Sequence, residues 1–303
     1  MNLQQLEYIV AVDQYRHFAT AAEKCFVTQP TLSSMIRKLE EELDVQIFDR
    51  SRQPVVPTEA GEAILKQARA ILGETAKMKE VVSNFKGEVS GDLKLGIIPS
   101  LSTSLVPLFL PTFLAAFPKV ELIILEANAD DLVQRMKSNA IDAALLSTPL
   151  EDSAMMENPL FYEQFVVYSR DPDILMKKFV TQEDLDLRRM WLLQEGHCLR
   201  SQVVNLCIMP DENWERQLHY DASSLEMLPR LVDVQGGMTV LPELALRGMD
   251  KKNQERVRFF SQPAPVREIS LVTFRLLHKR KILDALCEVI LSCIPEGMKD
   301  YQS

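Results

Sequence analysis

The chain has 303 residues, 47% of them hydrophobic and 25% charged, ordinary globular values that exclude wholesale disorder and leave room for about two domains. Its net charge of −9 counts against a nucleic-acid binder, since such domains are usually basic. No run approaches the roughly 18 consecutive apolar residues of a membrane span, the first twenty residues lack a secretory apolar stretch, and five scattered cysteines make no disulfide framework. The expectation is a cytoplasmic protein with no membrane partner.

The first ninety residues read as helices with almost no strand. Leu3, Leu6, Ile9 and Val10 recur at helical spacing, and Phe18, Ala19, Ala21 and Ala22 signal a short second helix. A third starts at Thr28, with Pro30 in its first turn and Leu32, Ile36, Leu39 and Leu43 inward. Proline is tolerated there because its missing N–H would be unpaired anyway. Two helices joined by a short turn make a helix-turn-helix, and the β-prone, proline-containing stretch from Gln46 to Thr58 suits a small wing. Thr58 then caps a long helix to about Phe85. Along it Ile64, Ala68, Ile71, Thr75, Met78, Val82 and Phe85 alternate by four and three residues. That is the period of a coiled-coil seam, so the helix is read as a dimerising linker, with packing onto its own domain as the alternative.

After Gly91 the texture changes. Strands are expected at Leu93–Ile98, Val120–Leu125 and Ala143–Leu146, separated by helices at Leu105–Phe117 and Asp130–Ser138. Such alternation predicts a largely parallel, doubly wound sheet. A second set follows: strands Phe165–Tyr168, Met190–Leu193 and Thr239–Leu241, with helices Leu199–Cys207 and Leu225–Val234. Strand Ile269–Thr273 and helix Ile282–Ile294 return to the first sheet. The expected domains are a winged helix-turn-helix over 1–58, a linker helix over 59–90 and a two-lobed α/β regulatory domain over 91–303. Lobe I spans about 91–162 and 268–303, and lobe II about 163–267. Ligands of such sheets sit in the cleft beyond the strand ends.

The front end carries a resemblance. Met1-Asn2-Leu3-Gln4-Gln5-Leu6, Phe18-Ala19-Thr20-Ala21-Ala22-Glu23, Thr28-Gln29-Pro30-Thr31-Leu32-Ser33, Leu39-Glu40-Glu41-Glu42-Leu43, Phe48-Asp49-Arg50 and Thr58-Glu59-Ala60-Gly61 follow one another over about sixty residues. In order and spacing they resemble the LysR-type transcriptional regulators. The resemblance implies a regulator and not an enzyme, with a periplasmic-binding-protein-like effector domain. It further implies double-stranded promoter DNA as partner, a homo-oligomer that is a dimer of dimers, and contact with RNA polymerase.

A recognition helix reads base edges with short polar side chains near its N-terminus. Thr28, Gln29, Pro30, Thr31, Ser33 and Ser34 offer that surface. Arg37 and Lys38 are placed for phosphates, and Arg50 and Arg52 on the wing for backbone or minor groove. Residues 1–60 nonetheless hold six basic and nine acidic side chains. Several modules acting together in an oligomer would offset weak binding by each.

The segment Glu195-Gly196-His197-Cys198-Leu199-Arg200, with Cys207 after eight intervening residues, resembles peroxide-sensing members of the same family. The resemblance implies that hydrogen peroxide oxidises Cys198, that Cys207 resolves it into an intramolecular disulfide, and that oxidative-stress genes are activated. Ser100 matches a family hydroxyl near the peroxide. A second threonine of that pattern is replaced by Ala129, with Asn128 as the substitute. Only a thiolate attacks peroxide, so Cys198 requires a lowered pKa, for which His197, Arg200 and the start of the following helix are the candidates. If Leu199–Cys207 is helical, the two α-carbons lie about 13–14 Å apart, and a disulfide needs less than about 7 Å. The bond then closes only if the segment unwinds.

Cys25, Cys287 and Cys293 read as inert buried thiols. A metal site from His197, Cys198, Cys207 and His219 lacks the short paired spacings of zinc sites, and no metal or cofactor is expected. Two alternatives stand beside the sensor. One is a regulator whose cleft, lined by Ser100, Ser102, Thr103 and Gln235-Gly236-Gly237, binds a small organic effector while the cysteines are incidental. The other is a thiol peroxidase.

Overall fold

The computed structural model describes residues 1–86, 89–207, 222, 224–274 and 279–299; in the helix ending at Lys86, side chains are described as far as Thr75 and at Met78. The chain divides into two compact units, one built mainly on Met1–Glu88 and the other on Val89–Lys137 and Ile141–Ser303.

In the first unit, Asn2 and Gln5 exchange side-chain and backbone hydrogen bonds, a capping box that starts α1 (Leu3–Tyr15). α2 (Phe18–Lys24) and α3 (Gln29–Leu43) follow. Thr28 caps α3, Pro30 lies in its first turn, and Asp44 in the left-handed region ends it. Ile9 and Val12, Ala21 and Ala22, and Leu32, Ile36 and Leu39 bring the three helices into one core. The wing is β1 (Phe48–Asp49) paired antiparallel with β2 (Val56–Pro57). Thr58 caps α4 (Glu59–Lys86): its hydroxyl accepts from the Gly61 N–H at 2.9 Å and donates to the Gln46 carbonyl at 2.6 Å. A Cβ at position 61 would stand 2.0 Å from the Ile47 carbonyl oxygen, so only glycine lets α4 pass this close.

The near half of the expected seam serves this unit. Ala68 is buried in the same core, and Ile64 and Ile71 pack against it, because α4 lies along α1. Arg69 of α4 also pairs with Asp13 of α1. Met78 is 73% exposed. The side chains of Val82 and Phe85 lie outside the described residues.

The second unit runs β3 (Gly91–Ile97), α5 (Pro99–Ala116), β4 (Val120–Glu126), α6 (Ala129–Lys137), β5 (Ala143–Thr148), β6 (Met155–Ser169), α7 (Pro172–Leu175), β7 (Phe179–Val180), α8 (Cys198–Leu206), α9 (Met227–Gln235), β8 (Met238–Pro242), α10 (Lys251–Gln254), β9 (Val257–Phe260), β10 (Val266–Phe274) and α11 (Arg280–Cys293). The strands form one sheet in the order β4-β3-β5-β10-β6-β9-β7, with β8 also on β6. The pairs β3–β4 and β3–β5 are parallel, as crossover helices α5 and α6 require. The remainder is chiefly antiparallel, because β10 enters beside β5 and β6 in the opposite sense. The sheet is therefore mixed, where the alternation of elements had suggested a largely parallel one.

Two cores divide this unit. One gathers Leu95, Ile97, Leu105, Phe109, Leu145, Leu271 and Leu286 of lobe I; the other gathers Val166, Val180, Val203, Val232 and Val240 of lobe II. Among the described strands, β6 runs through both, with Phe161 in the first core and Phe165 in the second. α5 has the length and hydropathy of a membrane span, yet Leu101, Leu105, Phe109 and Phe113 are buried in lobe I, which accounts for its apolar face without a bilayer. The expected strand Met190–Leu193 reduces to single bridges, Met190 to Met238 and Leu193 to Ala222.

Candidate functional site

The thiol site grows from the start of α8. Gly196, at φ +87°, turns the chain, His197 takes the N-cap position, and Cys198 is the first helical residue. Its sulfur thus meets free N–H groups of the first turn, which favour negative charge. Cys198 packs against the lobe I core, although α8 otherwise belongs to lobe II, where Leu199 and Val203 are buried. One turn on, Gln202 donates to the Ser147 hydroxyl of β5 at 2.9 Å, a second tie from α8 to lobe I.

The cation beside Cys198 comes from β10. Arg267 is buried, 1% exposed, and its guanidinium donates to the Ser100 hydroxyl at 3.1 Å and the Ser100 carbonyl at 3.2 Å. Ser100, in the first turn of α5, hydrogen-bonds in turn to the Cys198 sulfur. Burial pushes the Cys198 thiol above its ordinary value, and Arg267, the N–H groups of Leu199 and Cys198, and Ser100 all act against that shift. A net lowered pKa, as the chemistry of the sequence suggested, is not found: desolvation is the larger effect.

The flanking residues are placed differently from expectation. Burial holds His197 below its ordinary pKa, with Glu126 opposing, so it is not the neighbouring cation. Arg200 turns back into lobe II and donates to the Leu193 carbonyl at 2.6 Å. Asn128 is exposed, and its side-chain oxygen accepts from the Asp131 N–H at 2.8 Å at the start of α6. Arg267 is the residue that sequence reasoning missed. Its signal was a charged pair, Arg267-Glu268, opening a strand whose next residues are all apolar or small.

Cys207 closes α8 at the other end. Its thiol donates to the Val203 carbonyl, with sulfur and oxygen 3.1 Å apart, and it packs against the lobe II core. Burial, with Asp186 adding to it, pushes this thiol up to about 11. All five cysteines are half-buried free thiols. Among the described residues no group of three or more His, Cys, Asp or Glu is arranged to hold a metal; His219 and the stretch Ile208–Asn213 lie outside them. Of the residues suggested for an organic effector, the Gly236 carbonyl accepts from the Trp191 indole and the Gly237 carbonyl from the Ser169 hydroxyl, so both serve lobe II itself.

On the first unit, Gln29, Pro30, Thr31, Ser34, Arg37 and Lys38 line the exposed side of α3. Thr28 is occupied as the cap, bonded to the Thr31 hydroxyl at 2.8 Å, and Ser33 is half-buried. Arg37 pairs with Glu41 and Arg52 with Asp49, both in the open. Arg50 is more engaged: it pairs with Glu40 at 2.7 Å, reaches the Ser33 hydroxyl at 3.4 Å and lies 5.1 Å over the Phe18 ring. Just before α3, Phe26 is 95% exposed with φ +56°, a conformation that bulky residues rarely hold. It too was missed, since a lone Phe after Cys25 reads as no more than a break between helices.

Comparison with known proteins agrees with this architecture. Residues 3–62 match the bacterial regulatory helix-turn-helix protein, LysR family, and residues 86–292 match the LysR substrate binding domain. The chain belongs to the LysR family of bacterial transcription regulators. Within it, the chain is similar to the hydrogen peroxide-inducible genes activator of Haemophilus influenzae, 35% identical over 275 residues that make up 90% of each. It is also 36% identical over 274 residues to the DNA-binding transcriptional dual regulator OxyR of Escherichia coli, covering 90% of this chain and 89% of that one. Among solved structures, a full-length cysteine-to-aspartate variant of OxyR from Pseudomonas aeruginosa superimposes with a TM-score of 0.82 at 31% identity, covering 97% of this chain and 99% of that one. A peroxide-bound cysteine-to-serine variant of Corynebacterium glutamicum OxyR gives 0.62 at 29% identity, over 96% and 92% of the two chains.

Proposed function

We propose that this protein is a peroxide-responsive regulator of transcription in which Cys198 is the sulfur that reacts and Cys207 the sulfur that resolves. The reading rests on one observation: Cys198 stands at the N-terminal end of α8 beside Ser100 and Arg267, while Cys207 stands at the other end in a different core. The Cys198 thiolate attacks one peroxide oxygen, the O–O bond breaks, and the departing hydroxide takes a proton to leave as water. Arg267 and Ser100 are placed to favour the thiolate and the developing charge on that oxygen. The product is a sulfenic acid, which the Cys207 thiol converts to a disulfide with loss of a second water.

A helix cannot hold this disulfide. Nine steps of α-helix separate the two α-carbons by about 13–14 Å, twice the reach of the bond, so α8 unwinds and leaves its ties to Ser147 and the lobe I core. That change is the signal, passed to a homo-oligomer that presents several α3 surfaces to a promoter, with RNA polymerase as the further partner. The residues for DNA are those exposed on α3 and the wing. Intact-mass measurement after brief exposure to peroxide tests the chemistry: a loss of about two mass units that maps to Cys198 and Cys207 supports it, and an unchanged mass overturns it.

A further inference from the structure

The buried cation beside Cys198 has a second partner that the sulfur chemistry leaves unused. Glu163 of β6 stands directly across the ladder from Arg267 of β10 and is 0% exposed. One carboxylate oxygen takes the Arg267 Nε at 2.9 Å and an Nη at 2.8 Å; the other accepts the Leu244 N–H at 2.8 Å. The chain of contacts therefore runs Leu244, Glu163, Arg267, Ser100, Cys198, buried as far as Ser100 and half-buried at the sulfur.

We propose that Glu163 is a positioning residue that sets how much of the Arg267 charge is available to the Cys198 sulfur. Among the groups described, those acting on Cys198 are Arg267 from β10, Ser100 from α5 and the first N–H groups of α8, with uncharged His197 beside it; Glu163 is not one of them. It acts only through the guanidinium. In a buried pair the carboxylate compensates the cation, and charge interactions there are stronger than in water. With Glu163 present, a Cys198 thiolate competes for a cation already satisfied. With the carboxylate neutralised, the same guanidinium is left uncompensated, and the thiolate becomes its counter-ion. Glu163 also holds the guanidinium plane toward Ser100, so it fixes direction as well as strength. A third charge is nearby: Glu243 is held above its ordinary pKa by burial and by Glu163, with Arg247 opposing.

The inference rests on Cys198 being the reactive sulfur, and its test needs no peroxide. Alkylation of Cys198 by iodoacetamide is followed across pH 6–10 in the full-length protein, with peptide mass spectrometry separating Cys198 from the other thiols. Glu163→Gln should move the midpoint of the profile down by about one pH unit, which makes alkylation at neutral pH about tenfold faster. Arg267→Met should move it up, and adding Glu163→Gln to Arg267→Met should change nothing more, because the effect has lost its carrier. Should Glu163→Gln fail to fold, Glu163→Asp keeps the charge but draws it back by one methylene, and a smaller shift in the same direction is expected. A folded variant that loses thermal stability but keeps the wild-type midpoint overturns the proposal. If the midpoint shifts while wild-type protein proves inert to peroxide, the coupling stands and the sensor reading fails; if the midpoint is fixed while peroxide still yields the disulfide, the reverse holds.

Discussion

Cys198 and Cys207 bracket a single nine-residue helix yet are packed into different hydrophobic cores, Cys198 against lobe I and Cys207 against lobe II. A bond between them would draw one sulfur out of its core, so in the proposed mechanism the chemistry and the change of shape are one event.

Cys198→Ser should leave the fold and DNA binding intact and abolish any change in footprint with peroxide. Cys207→Ser should still react, accumulating sulfenic and then sulfinic acid at Cys198, seen as about 16 and 32 added mass units. A footprint that still responds in Cys198→Ser removes that sulfur from the mechanism.

Hydrogen exchange reads the helix directly. In reduced protein the amides of residues 202–206 should be protected, and in oxidised protein they should exchange at least about a hundredfold faster, as expected for a helix that has opened. Gln202→Ala, which removes the tie to Ser147, should loosen the same amides in the reduced state by a smaller factor. Equal protection in both redox states contradicts unwinding.

The pH dependence has a fixed sign. Burial raises the Cys198 thiol, so its reactive thiolate grows with pH, and the rate with peroxide should climb about tenfold per unit until the midpoint is passed. The raised thiols also link pH to stability. Protons held more tightly in the native state stabilise it fully below the unfolded value, about 8.5, and that contribution is lost as pH rises toward the folded value, about 11 at Cys207. Urea midpoints of reduced protein should therefore fall between pH 8 and pH 10.5, and less steeply in Cys207→Ser.

Arg50 separates charge from geometry on the wing. Arg50→Lys keeps the charge but loses the fork to Glu40 and Ser33 and the stacking on Phe18. If Arg50 works by holding Ser33 and the wing, this variant should lose about tenfold in DNA affinity while the slope of affinity against salt is unchanged. Near-wild-type affinity in Arg50→Lys, together with a slope reduced by about one unit in Arg50→Gln, identifies a phosphate contact instead.

Phe26 should split stability from binding. The left-handed conformation costs a residue other than glycine roughly 1–2 kcal/mol, and Asn tolerates it better. Phe26→Asn should leave the melting temperature unchanged or raised, yet weaken DNA binding several-fold if the exposed ring meets sugars or thymine methyls beside Gln29. A joint fall in both assigns Phe26 to the fold.

Much of this protein was legible in its sequence. Thr28, Pro30 and the inward spacing of Leu32, Ile36 and Leu39 define α3 to within a residue, because capping and periodicity are local. The helical spacing of Cys198 and Cys207 could be read in the same way. Sheet direction could not: a strand pattern does not say which way its neighbour runs, so the antiparallel entry of β10 was hidden. Arg267 was hidden for the same reason, since it lies 69 residues beyond Cys198 and is brought to Ser100 by the antiparallel ladders of β10 with β5 and β6. The stripe on α4 was ambiguous in principle. A period of 3.5 residues names an apolar face and not its occupant, and here Ala68 faces α1.

The thiol of Cys207 is tied to the Val203 carbonyl within its own last turn and is pushed up to about 11. At pH 7 about one such thiol in ten thousand is ionised, so an oxidant that arrives there first finds almost nothing to attack. In the proposed mechanism the resting protein thus holds its second sulfur in reserve, and that sulfur becomes a partner only after the helix end frays.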